Sequence, residues 1–308
     1  MGYIAEEYMR LRHKLIPYLY TANYNCHKFA TQLIEPLYYY YPDDKAAYST
    51  KNEYFFGKEL LVCPITKPTS DGCSRFTAYL PCGEWTDIFT GVKYTGGRHI
   101  DMVRHIDEYP VFAASGAVIP YSDDDNYNSV ANPANLRFDV YSGLGEYTLY
   151  EDGFCADGSA GEAFTTVTVK KVGNALTVSV KACGDLVYPE TRKITLSFKN
   201  AYKGGVSFTR NGAAETVSVS GGDNLSVTFK YNHGDECAFT VTAEDLTIAE
   251  FVAKFIAPVF SEYKDCVRVK RFLYNEMLKA SDFCELKKLV VGSDLSEVLK
   301  EKTLEILG

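Results

Sequence analysis

The chain of 308 residues is long enough for two or three domains, each able to bury its own core. Its 32 basic and 40 acidic residues leave a net charge of −8, which argues against a general nucleic-acid or anionic-membrane binder and says little about a neutral ligand. Nine scattered cysteines, an odd number without a C-x-x-C, indicate neither a disulfide framework nor a zinc site. That cysteine usage makes a reducing cytoplasm the expected location; no apolar run reaches the length of a membrane span, and Met1 to Arg12 carries acidic and polar residues rather than a signal peptide's apolar core.

From Glu6 to about Ala30 the pattern predicts one long or kinked helix. Tyr8, Leu11, Leu15, Leu19 and Ala22 share an apolar face, and Pro17 removes a backbone donor mid-pattern and should kink or split it. The aromatic run from Pro36 to Asp44 reads as a buried strand ending in a turn. From Leu33 to about Ala131, short β-branched and aromatic runs alternate with turn signals at Asp71-Gly72, Cys82-Gly83, Thr90-Gly91 and Gly96-Gly97, a sandwich signature. Period-two alternation then marks Leu136 to Tyr141, Gly145 to Gly153, Phe164 to Val169, Ala175 to Val180 and Lys193 to Phe198. Strands around Val206 to Phe208, Thr216 to Val219 and Leu225 to Phe229 follow, through about Val241. After Asp245 the pattern turns helical. Thr247 to Glu250 has the form of a capping box, with Phe251, Val252, Phe255 and Ile256 at helical intervals until Pro258 interrupts. Tyr263 to Ala280 and Ser293 to Leu307 are two further amphipathic stretches, the second opened by Asp294 three residues before Glu297. The expected fold is mainly β: two consecutive antiparallel β-sandwich domains, over 33–132 and 133–245, preceded by a helix in 1–32 and followed by a small helical tail over 246–308. That tail should pack internally or pair with another subunit.

Five ordered motifs carry a family resemblance. Arg10 to Tyr20 matches R-x-R-x-x-L-x-P-Y-L-Y, and Glu35 to Asp44 matches R-P-L-F-F-x-x-P-D-D, with Asn52 to Ile65 following as D-Q-F-L-x-G-x-x-L-L-V-A-P-V. Leu80 to Gly91 matches L-P-x-G-x-W-x-D-x-x-T-G, and Pro110 to Pro120 matches P-L-F-V-R-x-G-A-I-I-P. In these segments the chain resembles the C-terminal third of glycoside hydrolase family 31, the α-glucosidase and α-xylosidase family. Departures are Glu35 for the usual Arg, Cys63 for Ala, and Ala113-Ala114-Ser115 for a Val-Arg segment, so any salt bridge made through those arginines is absent or rebuilt. The resemblance implies that 1–32 is a remnant of the last helix of a catalytic barrel, which should dock on the following sandwich or on another chain. It also implies proximal and distal C-terminal sandwiches, the distal one marked by Thr148 to Gly153, where the family's second Asp of T-L-Y-E-D-D-G is missing. The tail has no family counterpart.

The resemblance further implies a parent enzyme that is a retaining glycosidase, in which one Asp attacks the anomeric carbon and another protonates the leaving oxygen. The nucleophile's surroundings are W-x-D-M-N-E. Trp85-Thr86-Asp87 offers W-x-D, but Ile88-Phe89-Thr90 follows and the position matches the downstream turn motif, so Asp87 is not the nucleophile. No residue is assigned to catalysis, substrate binding, metal or cofactor. A lone Trp85 beside an Asp could stack on sugar, but a core ring at a strand end is the weightier reading. Asp123-Asp124-Asp125-Asn126, Asp43-Asp44 and Glu151-Asp152-Gly153 offer oxygens for calcium, yet none matches the spaced calcium loop and a charge run in a turn is usually solvated. His13 and His27 lie far apart in helical phase and five scattered histidines define no triad. The expectation is a non-catalytic C-terminal region that scaffolds the barrel, its partner being the N-terminal catalytic portion of the same enzyme. Two alternatives from other classes are a carbohydrate-binding module and a homo-oligomerising module that uses the tail.

Overall fold

A computed structural model describes residues 2–70, 72–124, 131–153, 161–185 and 192–308. It resolves into two compact units, each assembled from separated stretches of chain: Met1–Glu35, Phe55–Leu60 and Ala114–Asp245 form the first, and Pro36–Tyr54, Leu61–Ala113 and Leu246–Gly308 the second. No helix among the described residues is long and apolar enough to cross a membrane.

The first unit is mainly two sheets. One has five strands in the order Val219–Ser220, Leu225–Lys230, Lys193–Lys199, Asn135–Tyr141, Val118–Ser122. The other has six, in the order Leu144–Asp152, Glu162–Val172, Ala175–Gly184, Glu236–Ala243, Gly204–Arg210, Ala213–Glu215. The alternation read from the sequence is the alternation of burial: Ala163, Thr165, Val167 and Val169 face inward along one strand, opposite Val178 and Val180 of the next. One pairing is parallel, Leu136 beside Ile194 and Phe138 beside Leu196. Parallel strands need a long crossover, and the three strands from Leu144 to Gly184 supply it. The stretch Thr216 to Val219, expected as a strand, contributes only its last residue to the short Val219–Ser220 edge. It has no buried side to reward alternation, so the pattern there carries no pairing energy.

The N-terminal helix splits as expected. Gly2–Lys14 ends before Leu15, and Ile16–Phe29 begins with Pro17 in its first turn, where a missing N–H breaks no intrahelical bond. The second helix docks on the sheet through aromatic rings: Tyr18 stacks on Tyr147 at 5.8 Å and Tyr24 on Tyr150 at 3.7 Å. The Tyr18 hydroxyl lies 2.7 Å from both the Phe56 carbonyl and Glu59 Oε2. That hydroxyl is why position 57 is glycine, since a Cβ there would sit 1.8 Å from it, on a backbone with φ +66°.

In the second unit, Cys73–Leu80 and Arg98–His105 form an antiparallel pair with Phe76 opposite Met102 and Ala78 opposite Ile100. Beside it run Val111–Ala114, Glu84–Asp87 and Lys93–Thr95 in sheet order. The expected strand over Pro36 to Asp44 is a correction. Strand geometry stops at Pro36, Leu37–Tyr39 is a 3-10 turn, and the Tyr40 and Tyr41 N–H groups both bond the Leu37 carbonyl. The backbone is satisfied locally, so only Leu37 is buried while Tyr38 and Tyr39 are exposed.

The capping box at Thr247 and Glu250 forms. Pro258 does not end the helix as expected: a π-helical turn at Val252–Ile256 widens the spiral ahead of it, and Ala257–Glu262 continues with the proline in its first turn. Three helices follow, Val267–Met277, Phe283–Val291 and Glu297–Leu307. Phe283–Val291 stood out in no reading of the sequence, and the last helix starts after Ser296, whose side chain makes no capping bond, rather than being opened by Asp294.

Candidate functional site

The residues around Trp85 were the chemically suggestive ones, and their geometry is structural. Trp85 is fully buried and its indole N–H donates to the Pro81 carbonyl at 2.8 Å. Asp87 Oδ1 accepts from the Phe89 and Thr90 N–H groups, at 2.9 and 3.2 Å, closing the Thr90-Gly91 turn. Its Oδ2 meets Arg104 Nη2 at 3.2 Å. Arg104 Nη1 then donates to Glu305 Oε1 at 2.7 Å, and Glu305 also accepts from the Tyr94 hydroxyl at 2.9 Å and the Val103 N–H at 3.1 Å. Lys302 donates to the Val103 carbonyl at 3.0 Å and lies 3.8 Å from Glu305. Two carboxylates and two cations therefore share one interior, with hydrogen bonds to match.

Burial pushes the Asp87 carboxyl up, against Arg104 and the two turn N–H groups. Burial lowers Lys302, with Glu305 opposing. For Arg104 burial acts downward, but Glu305, Tyr94 and Asp87 outweigh it and hold the guanidinium firmly charged. A cluster so enclosed has no face to offer a substrate. Asp87 is a turn-closing, ion-paired carboxylate.

A cleft of about 260 Å³ in the same unit is lined by Asn52, Glu53, Cys63, Lys67, Tyr79 and His99, among others. Glu53 Oε1 accepts from the Tyr79 N–H at 2.8 Å, while Oε2 is buried without a hydrogen-bond partner. Burial drives this carboxyl up to about 7, with the Tyr79 N–H and the nearby Cys63 thiol pulling the other way. Among the described residues Glu53 is the single carboxylate lining the cleft. Glycoside cleavage needs two that face one bond, so the cleft is not laid out for it.

The other residues named from the sequence are placed as follows. His13 and His27 sit on separate helices. Asp124 accepts from the Ala134 and Asn135 N–H groups at 2.8 and 2.9 Å, and Asp123 faces Arg137 at 3.5 Å, whereas Asp125 and Asn126 lie outside the described residues. Asp44 caps the helix Lys45–Ser49 and accepts the Tyr79 hydroxyl. Glu151 pairs with buried Arg192 at 2.8 Å, and Asp152 accepts the Tyr20 hydroxyl at 2.7 Å. Among the described residues no three His, Cys, Asp or Glu side chains are grouped to hold a metal ion. Glu35, which stands at an arginine position of the family motif, is buried and accepts the Gln32 N–H. The structure does join Cys73 Sγ to His105 Nδ1 at 3.4 Å, which no spacing foretold, but the thiol is buried. At the surface Tyr38 and Tyr48 stack at 5.0 Å with planes 9° apart, a flat apolar face open to solvent.

Sequence reading missed Arg104, Lys302, Glu305 and Glu53. For the tail the signal was present: Lys302 stands in phase with Leu299 and Ile306 on the inward face of the last helix, where a charge requires a partner.

Residues 30–119 match the family model described as the glycosyl hydrolase family 31 C-terminal domain. The chain is 30% identical over 161 residues to alpha-glucosidase 2 of Bacillus thermoamyloliquefaciens, covering 49% of this chain and 20% of that protein. It is 34% identical over 148 residues to an alpha-xylosidase of Saccharolobus solfataricus, covering 47% of this chain and 20% of that one. It therefore spans about a fifth of the length of these curated relatives. In fold it is similar to the GH31 dextranase of Flavobacterium johnsoniae, with a TM-score of 0.66 and 21% identity over 77% of this chain and 32% of the dextranase. The matched domain and the relatives agree: the chain carries a glycosyl hydrolase family 31 C-terminal domain over residues 30–119, and its fold is similar to that of a GH31 dextranase.

Proposed function

We propose that the chain is the non-catalytic C-terminal region of a family 31 α-glycosidase and scaffolds the catalytic barrel, the partner being the N-terminal portion of the same enzyme. The parent activity in this reading is retaining hydrolysis of α-linked glucosides or xylosides. The observation that carries it is the internal saturation of the W-x-D motif: Asp87, which most resembles a nucleophile, is committed to Arg104 and to its own turn. The match of 30–119 to a C-terminal domain model supports the same reading.

The test is an assay of the purified 308-residue chain on p-nitrophenyl α-glucoside and α-xyloside. We expect no turnover above buffer. Hydrolysis that co-purifies with the chain and scales with its concentration sinks the proposal. The stacked, exposed Tyr38 and Tyr48 favour sugar binding as a second reading, since flat aromatic faces pack on sugar rings. Saturable retention of the chain by an immobilised α-glucan, without turnover, would support it.

A further inference from the structure

The tail carries an apolar groove of about 550 Å³ between Val267–Met277 and Phe283–Val291. Its walls include Arg268, Phe272 and Glu276 from the first helix and Glu285, Lys288 and Leu289 from the second, with Asp294 at the end beyond the second helix. Phe272 is 67% exposed on this wall, with Val267 at 72% and Val291 at 63% close by in sequence on the same two helices. So much apolar side chain in water on a small helical hairpin marks a contact surface.

The charges along the first wall identify the occupant. Arg268 stands in the first turn and Glu276 in the last, two turns on along the same stripe and about 12 Å away along the axis, with Phe272 midway. Among the described residues Arg268 makes no ion pair, and Glu276 is engaged only by the exposed Lys279 beside it in sequence, a weak partner. A stripe that is basic at one end, aromatic in the middle and acidic at the other is complementary to itself reversed. A twofold axis through Phe272 lays two such helices antiparallel, brings ring onto ring, and sets each Arg268 against the other copy's Glu276. The same arrangement opposes the two helix dipoles.

We propose that this face is an isologous interface and that a second copy of the chain occupies the groove, its Val267–Met277 helix packed antiparallel on the first. The interface needs no segment outside Leu246–Gly308 and is independent of the scaffold reading given above.

The experiment is sedimentation equilibrium of the full chain and three variants, Arg268→Glu, Glu276→Arg and the double exchange. The wild type should show a monomer–dimer equilibrium. Each single reversal places like charges together twice across the axis and should weaken dimerisation by roughly tenfold or more. The double exchange restores opposite charges at both contacts and should recover most of the loss. Arg268 is exposed and Glu276 half-exposed, and thermal unfolding followed by circular dichroism should give matching midpoints, separating a lost contact from a lost fold. A wild type that stays monomeric at millimolar concentration overturns the proposal. So does a dimer indifferent to the single reversals, or a double exchange no better than either single.

Discussion

Glu53 is a carboxyl kept in a place that suits its neutral form. Its pKa in the folded chain stands at about 7 against 4.5 for a free side chain, so between those values the folded state holds a proton that the unfolded state has released. Stability should therefore fall as pH rises from about 4.5 to about 7 and level off above. The difference of 2.5 units corresponds to something on the order of 3 kcal/mol. Glu53→Gln keeps an acceptor for the Tyr79 N–H without the charge. Urea unfolding should find it more stable than wild type by that order at pH 8 and about equal at pH 4; an equal gap at both values would show that the carboxyl is not the cause. The family motif has glutamine where this chain has Glu53, so the substitution returns the site to the form its surroundings accept. Glu305 presents the opposite case, a charge whose surroundings demand it. Glu305→Ala leaves Arg104 buried with only Asp87 beside it and should cost about 3–5 kcal/mol. Glu301→Ala, four residues earlier at the half-exposed Arg75 pair, should cost no more than about 1 kcal/mol by the same measurement.

At the scale of elements, what could be read from the sequence was what depends on neighbours in sequence. The split helix at Pro17, the capping box at Thr247 and the period-two strands of the first unit all declare themselves within a few residues. The run from Leu37 to Tyr41 misled because aromatic composition favours a strand, while the hydrogen bonds that decide the matter close back on Leu37. Pro258 misled because a π turn, which has no signature in composition, makes room for it. The Trp85 turn is fixed by a glycine distant in sequence. A Cβ at position 96 would sit 1.9 Å from the Pro81 oxygen and 2.8 Å from Trp85 Nε1. Gly96→Ala should break the indole's hydrogen bond and destabilise the chain by about 2–4 kcal/mol. Trp85 is the only tryptophan, so fluorescence reports the effect directly: emission should shift to the red, and an unshifted spectrum with unchanged stability would refute the argument.

For the molecule as a whole, the motifs located the family and the mainly β fold, but not the way the chain returns on itself. Nothing in the spacing of apolar residues says that 246–308 rejoins 61–113 in one compact unit, because the tie is made by Arg104 and Val103 with residues about two hundred positions away. The candidate site was legible only as an absence of assignable chemistry, since a buried charge network looks in sequence like scattered surface charges. The discontinuity also has a consequence for synthesis. A ribosome adding about 5–20 residues each second needs roughly 10–40 s to pass from Val103 to Lys302, which lie 199 residues apart. During that interval the first unit can complete its sheets from Ala114 to Asp245, while the Arg98–His105 strand waits with the Arg104 guanidinium paired only to Asp87 until the Glu297–Leu307 helix is translated. The nascent second unit is thus the segment a chaperone should hold, and a stop before Glu297 would release it with its core still open.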